Sequence, residues 1–265
     1  MEFHDKVVFI TGATGGMGEE IAKKIATKQA KLGLFARRVD KLKSLADDMG
    51  LDETRCVYQQ CDVSKEVDIK QAVQATIDVF GRIDVAILSA GILVPNPIQT
   101  LDPAIIKQSM DINFMGVVYA VSHLLPVMKN QKQGTIVAVS TLPDRRGVPG
   151  WGAYGASKAA ISWLMESLRA EAKQRYNIDM ITVKPGSVLT PMIEDYHRQG
   201  AINADQAAEI IVSGIEKGKR VIQFPLGQVL MIRLQDLFPP FAYDLFPVEQ
   251  AKGDGYPQVE EEDLS

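Results

Sequence analysis

Tyr154 and Lys158 stand four residues apart in Tyr154-Gly155-Ala156-Ser157-Lys158, where a helical pattern begins, so their side chains share one helix face. A phenol that ionises near pH ~10 is a poor base at neutral pH, but an adjacent ammonium stabilises the phenolate and lowers that value. Such a pair can pass a proton to or from an alcohol or carbonyl oxygen. Thirteen residues before Tyr154 lies Thr141, preceded by Ser140, at the end of a strand-like run. Either hydroxyl could hold the reacting oxygen. On a strand the two face opposite ways, and the sequence leaves open which one serves.

A hydride donor or acceptor must sit beside that pair, and the N-terminal segment offers a place for one. The apolar run Val7-Val8-Phe9-Ile10 leads into Thr11-Gly12-Ala13-Thr14-Gly15-Gly16-Met17-Gly18, after which helix spacing sets in. Glycines here let the backbone turn sharply and approach a pyrophosphate, whose charge falls at the positive end of the next helix. The spacing is G-x-x-x-G-x-G rather than the commoner G-x-G-x-x-G, so the weight comes from its place between strand and helix. Nineteen residues past Gly18 the second strand ends in Ala36-Arg37-Arg38. An acidic residue there would bind the ribose 2′-hydroxyl of NAD. The charged, planar guanidinium of Arg37 or Arg38 suits a 2′-phosphate instead, so NADP(H) is the expected cofactor. Asp62-Val63 and Ser89-Ala90-Gly91 follow the third and fourth strands and are candidates to hold adenine and ribose.

These pieces need a scaffold that gathers strand ends. Short β-branched runs alternate with helix-period stretches, the pattern of a single doubly wound α/β domain: a Rossmann-type parallel sheet with crossover helices on both faces. Seven strands are expected, at 7–10, 32–36, 56–60, 85–88, 136–139, 180–183 and 221–224. Apolar helix faces are expected from Ile21 and Ile25, and from Val67, Ala72, Ala75 and Val79. Such a sheet binds ligands beyond the carboxyl ends of its strands. The catalytic domain is expected to span 1–250, with 186–200 as a substrate lid made of a loop and a short helix. Residues 225–247 are rich in Leu, Phe, Met and Pro but broken by Arg233, Asp236 and Asp244, too interrupted for the ~20 apolar residues of a membrane span. A subunit interface or a substrate-pocket wall is the favoured reading of that segment, ahead of an interfacial membrane helix. The acidic stretch 251–265 is expected to be a loose tail.

Composition bounds the function. With 265 residues, 46% hydrophobic and 23% charged, the chain can bury a sizeable core. Its net charge of −4, with scattered Lys and Arg, offers no basic face for nucleic acid. The opening Met1-Glu2-Phe3-His4-Asp5-Lys6 lacks the pattern of a signal peptide, and a cytoplasmic location is expected. Cys56 and Cys61, in one apparent strand, would lie on opposite faces roughly 16 Å apart at ~3.3 Å per residue, too far to pair. His4, His123 and His197 lack metal-ligand spacing, and no metal site is expected.

Over residues 5–225 the chain resembles the short-chain dehydrogenase/reductase family. The resemblance rests on TGATGGMG at 11–18, CDV at 61–63, Ala90-Gly91, DIN ending at Asn113, YGASK at 154–158 and PGSVLT at 185–190. It implies Tyr154 as acid/base, Lys158 as the residue that lowers its pKa and holds the nicotinamide ribose, and Asn113 as anchor of a relay water. It further implies that Pro185, Gly186, Val188 and Thr190 line the nicotinamide, and that the protein is a homodimer or homotetramer built on the helix at 157–176. Two departures stand out. Thr141 occupies the position of the family's catalytic serine, where its methyl group narrows the pocket and stiffens χ1. Leu88-Ser89 stands where the family usually shows Asn-Asn. The expected function is therefore interconversion of an alcohol and a ketone or other carbonyl, on a mostly apolar substrate. The competing reading, motivated by those departures, is a non-catalytic NADP(H)-binding sensor or scaffold. The loop Pro143-Asp144-Arg145-Arg146 is expected to be solvated, ahead of a role in greeting an acidic substrate.

Overall fold

The computed structural model describes residues 1–193 and 200–239. Strand β1 (Val7–Thr11) leads into α1 (Gly16–Ala26), β2 (Lys31–Ala36) into α2 (Val39–Asp48), and β3 (Cys56–Gln60) into α3 (Glu66–Phe80). β4 (Val85–Leu88) is followed by α4 (Pro103–Ser109), a π-helical stretch (Met110–Met115) and α5 (Gly116–Gln131). Next come β5 (Gly134–Val139), α6 (Gly152–Tyr176), β6 (Ile178–Pro185), the two-residue strands β7 (Val188–Leu189) and β8 (Ile202–Asn203), α7 (Ala204–Glu216), β9 (Val221–Phe224) and α8 (Leu226–Gln235).

Seven strands form one parallel sheet in the order β3-β2-β1-β4-β5-β6-β9. The order reverses between β1 and β4, so the connections after these strands diverge and leave a crevice at their carboxyl ends. Strand alternation sorts the core onto two faces. Val8, Ile10, Leu32 and Leu34 pack with Ile21 and Ile25 of α1 and Ile211 of α7. Phe9, Phe35, Ala86 and Leu88 pack on the other face with Ile69 of α3, Val121 of α5 and Ile161 of α6. Burial on both faces explains why β1 reads as an unbroken apolar run. Cys56 belongs to the first cluster and Cys61, just past β3, to the second, so the sheet separates the two thiols.

One expectation changes, and two segments gain detail. The buried stripe of α3 is Ile69, Ala72, Val73 and Thr76, while Val67 and Val79 are exposed. The expected stripe shares Ala72 with the observed one but is displaced round the helix, since the buried face runs through Ile69 and Val73. In 186–200 the described residues hold β7 and a 3₁₀ turn at Pro191–Ile193, and β7 pairs in parallel with β8 in a small second sheet. Two-residue strands carry no periodicity to read. Residues 225–247 yield the helix α8, and residues 240–247 of that segment lie outside the described part, as do 194–199 with His197 and the 251–265 tail. The run Pro103–Gln131 is long and apolar enough, by length and composition, to cross a membrane. One side of it, with Asn113, Val117, Ala120 and Leu124, is buried in the fold.

Candidate active site

The turn after β1 is shaped by missing side chains. Gly12 adopts φ +70°, and a Cβ there would stand 2.7 Å from the Ala90 backbone. At Gly18 a Cβ would come within 2.2 Å of the Gly12 carbonyl oxygen, so glycine lets α1 dock on the turn. Gly15, by contrast, points into open space, with its nearest neighbour 4.0 Å from a built Cβ. The result is a backbone cradle at the N-terminus of α1 that is open towards a cleft, the shape a pyrophosphate needs.

That cleft is lined by Thr14 and Gly15 on the cradle, Arg37 and Arg38 beyond β2, and Asp62 with Val63 beyond β3. Ala90 and Gly91, after β4, form its floor together with Gly12. Arg38 donates to the Thr14 carbonyl at 3.2 Å and so ties the end of β2 to the cradle, while Arg37 is exposed on the rim. The Asp62 carboxylate accepts from the Ser64 backbone N–H and hydroxyl at 3.0 and 2.7 Å, which fixes the turn after β3. Gly16, Gly18 and Ser89 are not among the residues that line this cleft. Ser89 donates its N–H to the Thr11 carbonyl, and Leu88 fills the apolar core where the related pattern carries an amide.

A second cleft opens at the ends of β5 and β6. Thr141 and Tyr154 both line it, with Pro185, Gly186, Val188 and Thr190, and Met17 belongs to it from the cradle side. Tyr154 sits in the first turn of α6. Lys158, one turn later, is buried; its Nζ lies 5.9 Å from the Tyr154 ring centroid and donates to the Val139 carbonyl at 2.9 Å. Burial brings its pKa down to about 8, because the apolar surroundings disfavour the ammonium. Ser140 does not reach the cleft. Its hydroxyl donates to the Lys158 carbonyl at 2.7 Å and meets the Ser162 hydroxyl at 2.8 Å, so it buckles α6 to the sheet. The strand alternation that left two candidates is thereby resolved in space: Thr141 faces the cleft and Ser140 the helix.

Asn113 lies in the π-helical stretch, an irregularity found often at functional sites. Its Oδ1 accepts from the Ile92 N–H at 2.7 Å, and its Nδ2 donates to the Ile92 carbonyl and the Ser157 hydroxyl at 3.0 and 2.9 Å. The loop after β4 is thus pinned to α6 beside Lys158. Gly91 permits this approach, since a Cβ there would stand 2.9 Å from Asn113 Oδ1 and 3.2 Å from Lys158 Nζ.

Several residues that shape the second cleft were not singled out in the sequence. Leu93, Val148, Trp151 and Ile232 give it an apolar lining, and Gln228 of α8 closes one side. Asp144 is buried, not solvated, and pairs with Lys184 of β6 and, at 3.5 Å, with Arg233 of α8. Burial opposes ionisation of this carboxyl, but the bonds from Lys184 and Ser162 outweigh it and hold its pKa below the ordinary value. Arg146 donates to the Phe238 carbonyl at 2.6 Å, and Arg145 lies 3.9 Å from Asp236. The loop after β5 is therefore an anchor for α8. No local sequence signal pairs residues 40 and 89 positions apart.

The pattern described as short chain dehydrogenase matches residues 6–200. An uncharacterised oxidoreductase of Listeria monocytogenes is 33% identical over 242 residues, covering 86% of this chain and 98% of that one. Among solved structures, levodione reductase superposes with a TM-score of 0.79 at 25% identity, covering 86% of this chain and 99% of that one. The alcohol dehydrogenase of the archaeon Thermococcus sibiricus, complexed with 5-hydroxy-NADP, superposes with a TM-score of 0.73 at 25% identity, covering 83% and 95%. This chain belongs to the short-chain dehydrogenase family and is an oxidoreductase of that family.

Proposed function

We propose that the protein interconverts an alcohol and a carbonyl compound with NADP(H), on an uncharged, mostly apolar substrate. The observation that carries this reading is the convergence of Thr141 and Tyr154 on one cleft, with the buried Lys158 behind the phenol and the open cradle of α1 next door. The related reductase and alcohol dehydrogenase structures support the reaction class. When bound, the cofactor supplies or accepts the hydride.

The chain's own residues do the rest. Gly12, Thr14 and Gly15 hold the pyrophosphate, Arg37 and Arg38 face the 2′-phosphate, and Asp62, Val63, Ala90 and Gly91 bracket the adenosine. Pro185, Gly186, Val188 and Thr190 flank the nicotinamide end. The hydroxyls of Thr141 and Tyr154 hold the substrate oxygen; Tyr154 gives its proton to that oxygen in reduction and takes it in oxidation. Lys158, as ammonium, stabilises the phenolate that results. Asn113, whose side chain is engaged with Ile92 and Ser157, is assigned as the anchor of a relay water. The apolar lining motivates the substrate class, and the nearby cations Lys184, Arg145, Arg146 and Arg233 are engaged with carboxylates or carbonyls instead of facing a charged ligand.

We further infer a cytoplasmic homodimer or homotetramer formed through α6, on which Trp163 is 78% exposed. The decisive test is fluorescence titration with NADPH and NADH, repeated on Arg37→Asp, followed by a ketone and aldehyde panel with wild type and Tyr154→Phe. NADPH preference erased by Arg37→Asp, with turnover lost but binding kept in Tyr154→Phe, is the expected result. Binding without turnover by the wild type on every substrate would favour a nucleotide sensor.

A further inference from the structure

Gln228 projects from α8 onto the main chain at two separated places. Its Oε1 accepts the Ser187 N–H at 2.8 Å, and its Nε2 donates to the Gly200 carbonyl at 3.1 Å. A primary amide offers acceptor and donor in one planar group, a combination that neither a carboxylate nor an aliphatic side chain can reproduce. The amide fits because residue 186 is glycine: a Cβ there would come within 2.1 Å of Gln228 Oε1. The two ends so held are adjacent in space, since the Ile202 N–H donates to the Ser187 carbonyl at 3.1 Å and β7 pairs with β8. On the other side, Gln228 and Ile232, one helical turn apart, form a wall of the substrate cleft. The helix that carries them is itself fixed by the Arg233–Asp144 pair and by the Arg146 bond to the Phe238 carbonyl.

We infer that Gln228 is a positioning residue that couples the substrate wall on α8 to the segment Gly186–Thr190, and so sets the distance between the substrate and the nicotinamide end of the cofactor. The inference rests on the oxidoreductase reading above. That segment has contacts on both sides. Val188 is buried against the core, and Thr190 abuts the cradle, where a Cβ on Gly16 would stand 2.7 Å from the Thr190 methyl group. A shift at Ser187 is thereby passed to the strip that flanks the hydride-transfer position. Misplacement of reacting groups by about 1 Å costs on the order of 10²-fold in rate. The adenosine end, assigned to Arg37, Arg38 and Asp62 after β2 and β3, lies outside this coupling.

The test compares wild type with Gln228→Leu, which removes both bonds at similar volume, and Gln228→Glu, which keeps an acceptor for Ser187 but loses the donor to Gly200. Hydrogen exchange, NADPH titration by fluorescence, thermal melting and steady-state kinetics on a ketone are measured on the full chain. For Gln228→Leu, amide exchange should rise about fivefold or more at Ser187 and Ile202, with the core strands unaffected. The fluorescence enhancement of bound NADPH should fall while its Kd changes little, and kcat should drop on the order of 10²-fold. Gln228→Glu should keep Ser187 protected and loosen the peptide spanning 200–203. Unchanged exchange at Ser187, a uniform rise across the sheet with a matching fall in melting temperature, or unchanged kcat beside a local rise would each overturn the inference. A wild type without turnover would instead count against the oxidoreductase reading, and the exchange pattern with the NADPH enhancement would still decide the role of Gln228.

Discussion

At Lys158 the demands of stability and chemistry oppose each other. The ammonium is buried with a pKa lowered to about 8, against 10.5 in an exposed chain, so the unfolded state binds more protons between those values. Stability therefore rises with pH from about 8 to 10.5, and below pH 8 the charged group costs its full desolvation. Lys158→Met should raise the melting temperature at pH 7, by roughly 2–4 °C per kcal/mol regained, with the gain fading towards pH 10.5. Calorimetry across that range checks the sign, and the same variant should lose turnover. In the wild type, reduction should decline as pH rises through about 8, when the phenolate loses its partner. Thr141 and Ser140 give a second residue-level contrast. Thr141→Val should cut kcat by roughly 10²-fold or more while leaving the melting temperature nearly unchanged. Ser140→Ala, which removes a buckle between β5 and α6, should cost about 1 kcal/mol of stability and affect kcat far less. The reverse pattern would reassign the substrate hydroxyl to Ser140.

Among the elements, the connections at the carboxyl end of the sheet carry the site. The π-helical stretch before α5 turns Asn113 onto the loop after β4, and α6 begins where Tyr154 and Lys158 are needed. The loop after β5 and helix α8 are joined through Asp144, whose carboxylate faces Lys184 and Arg233. Replacing one partner of a buried ion pair leaves the others uncompensated, at a cost of about 3–5 kcal/mol. Asp144→Asn should destabilise on that scale in urea melts and raise KM for apolar ketones more than for NADPH, because α8 forms the substrate wall and not the cradle. Equal changes in both KM values would show that the triad supports the fold as a whole. Since the folded-state pKa of Asp144 is depressed, this contribution is present above pH 3.8 and is lost as pH falls through the lower folded value.

On the scale of the whole molecule, the carboxyl end of the sheet carries two clefts, one lined by residues that follow β1, β2, β3 and β4 and the other mainly by residues that follow β5 and β6. The exposed face of α6 is the expected contact between subunits. Trp163→Glu should shift the protein to monomer in light scattering at micromolar concentration, since a desolvated carboxylate at an interface centre costs several kcal/mol. An unchanged mass would remove α6 from the interface.

The sequence by itself determined what is local. Strand and helix alternation, the glycine turn at 12–18, the arginines after β2 and the i, i+4 pair Tyr154/Lys158 each follow from spacing within one or two elements, where backbone geometry fixes which side chains share a face. All seven sheet strands lay where β-branched runs predicted them, with bounds within a few residues. Only the tertiary structure decided which of Ser140 and Thr141 meets the cleft, that Asp144 is buried between Lys184 and Arg233, and that Gln228 grips Ser187 and Gly200. Those contacts join residues up to 89 positions apart, and no local periodicity encodes them. They exist because packing α6 and α8 onto the sheet desolvates polar groups, and each such group must then find its partner wherever the fold has brought one.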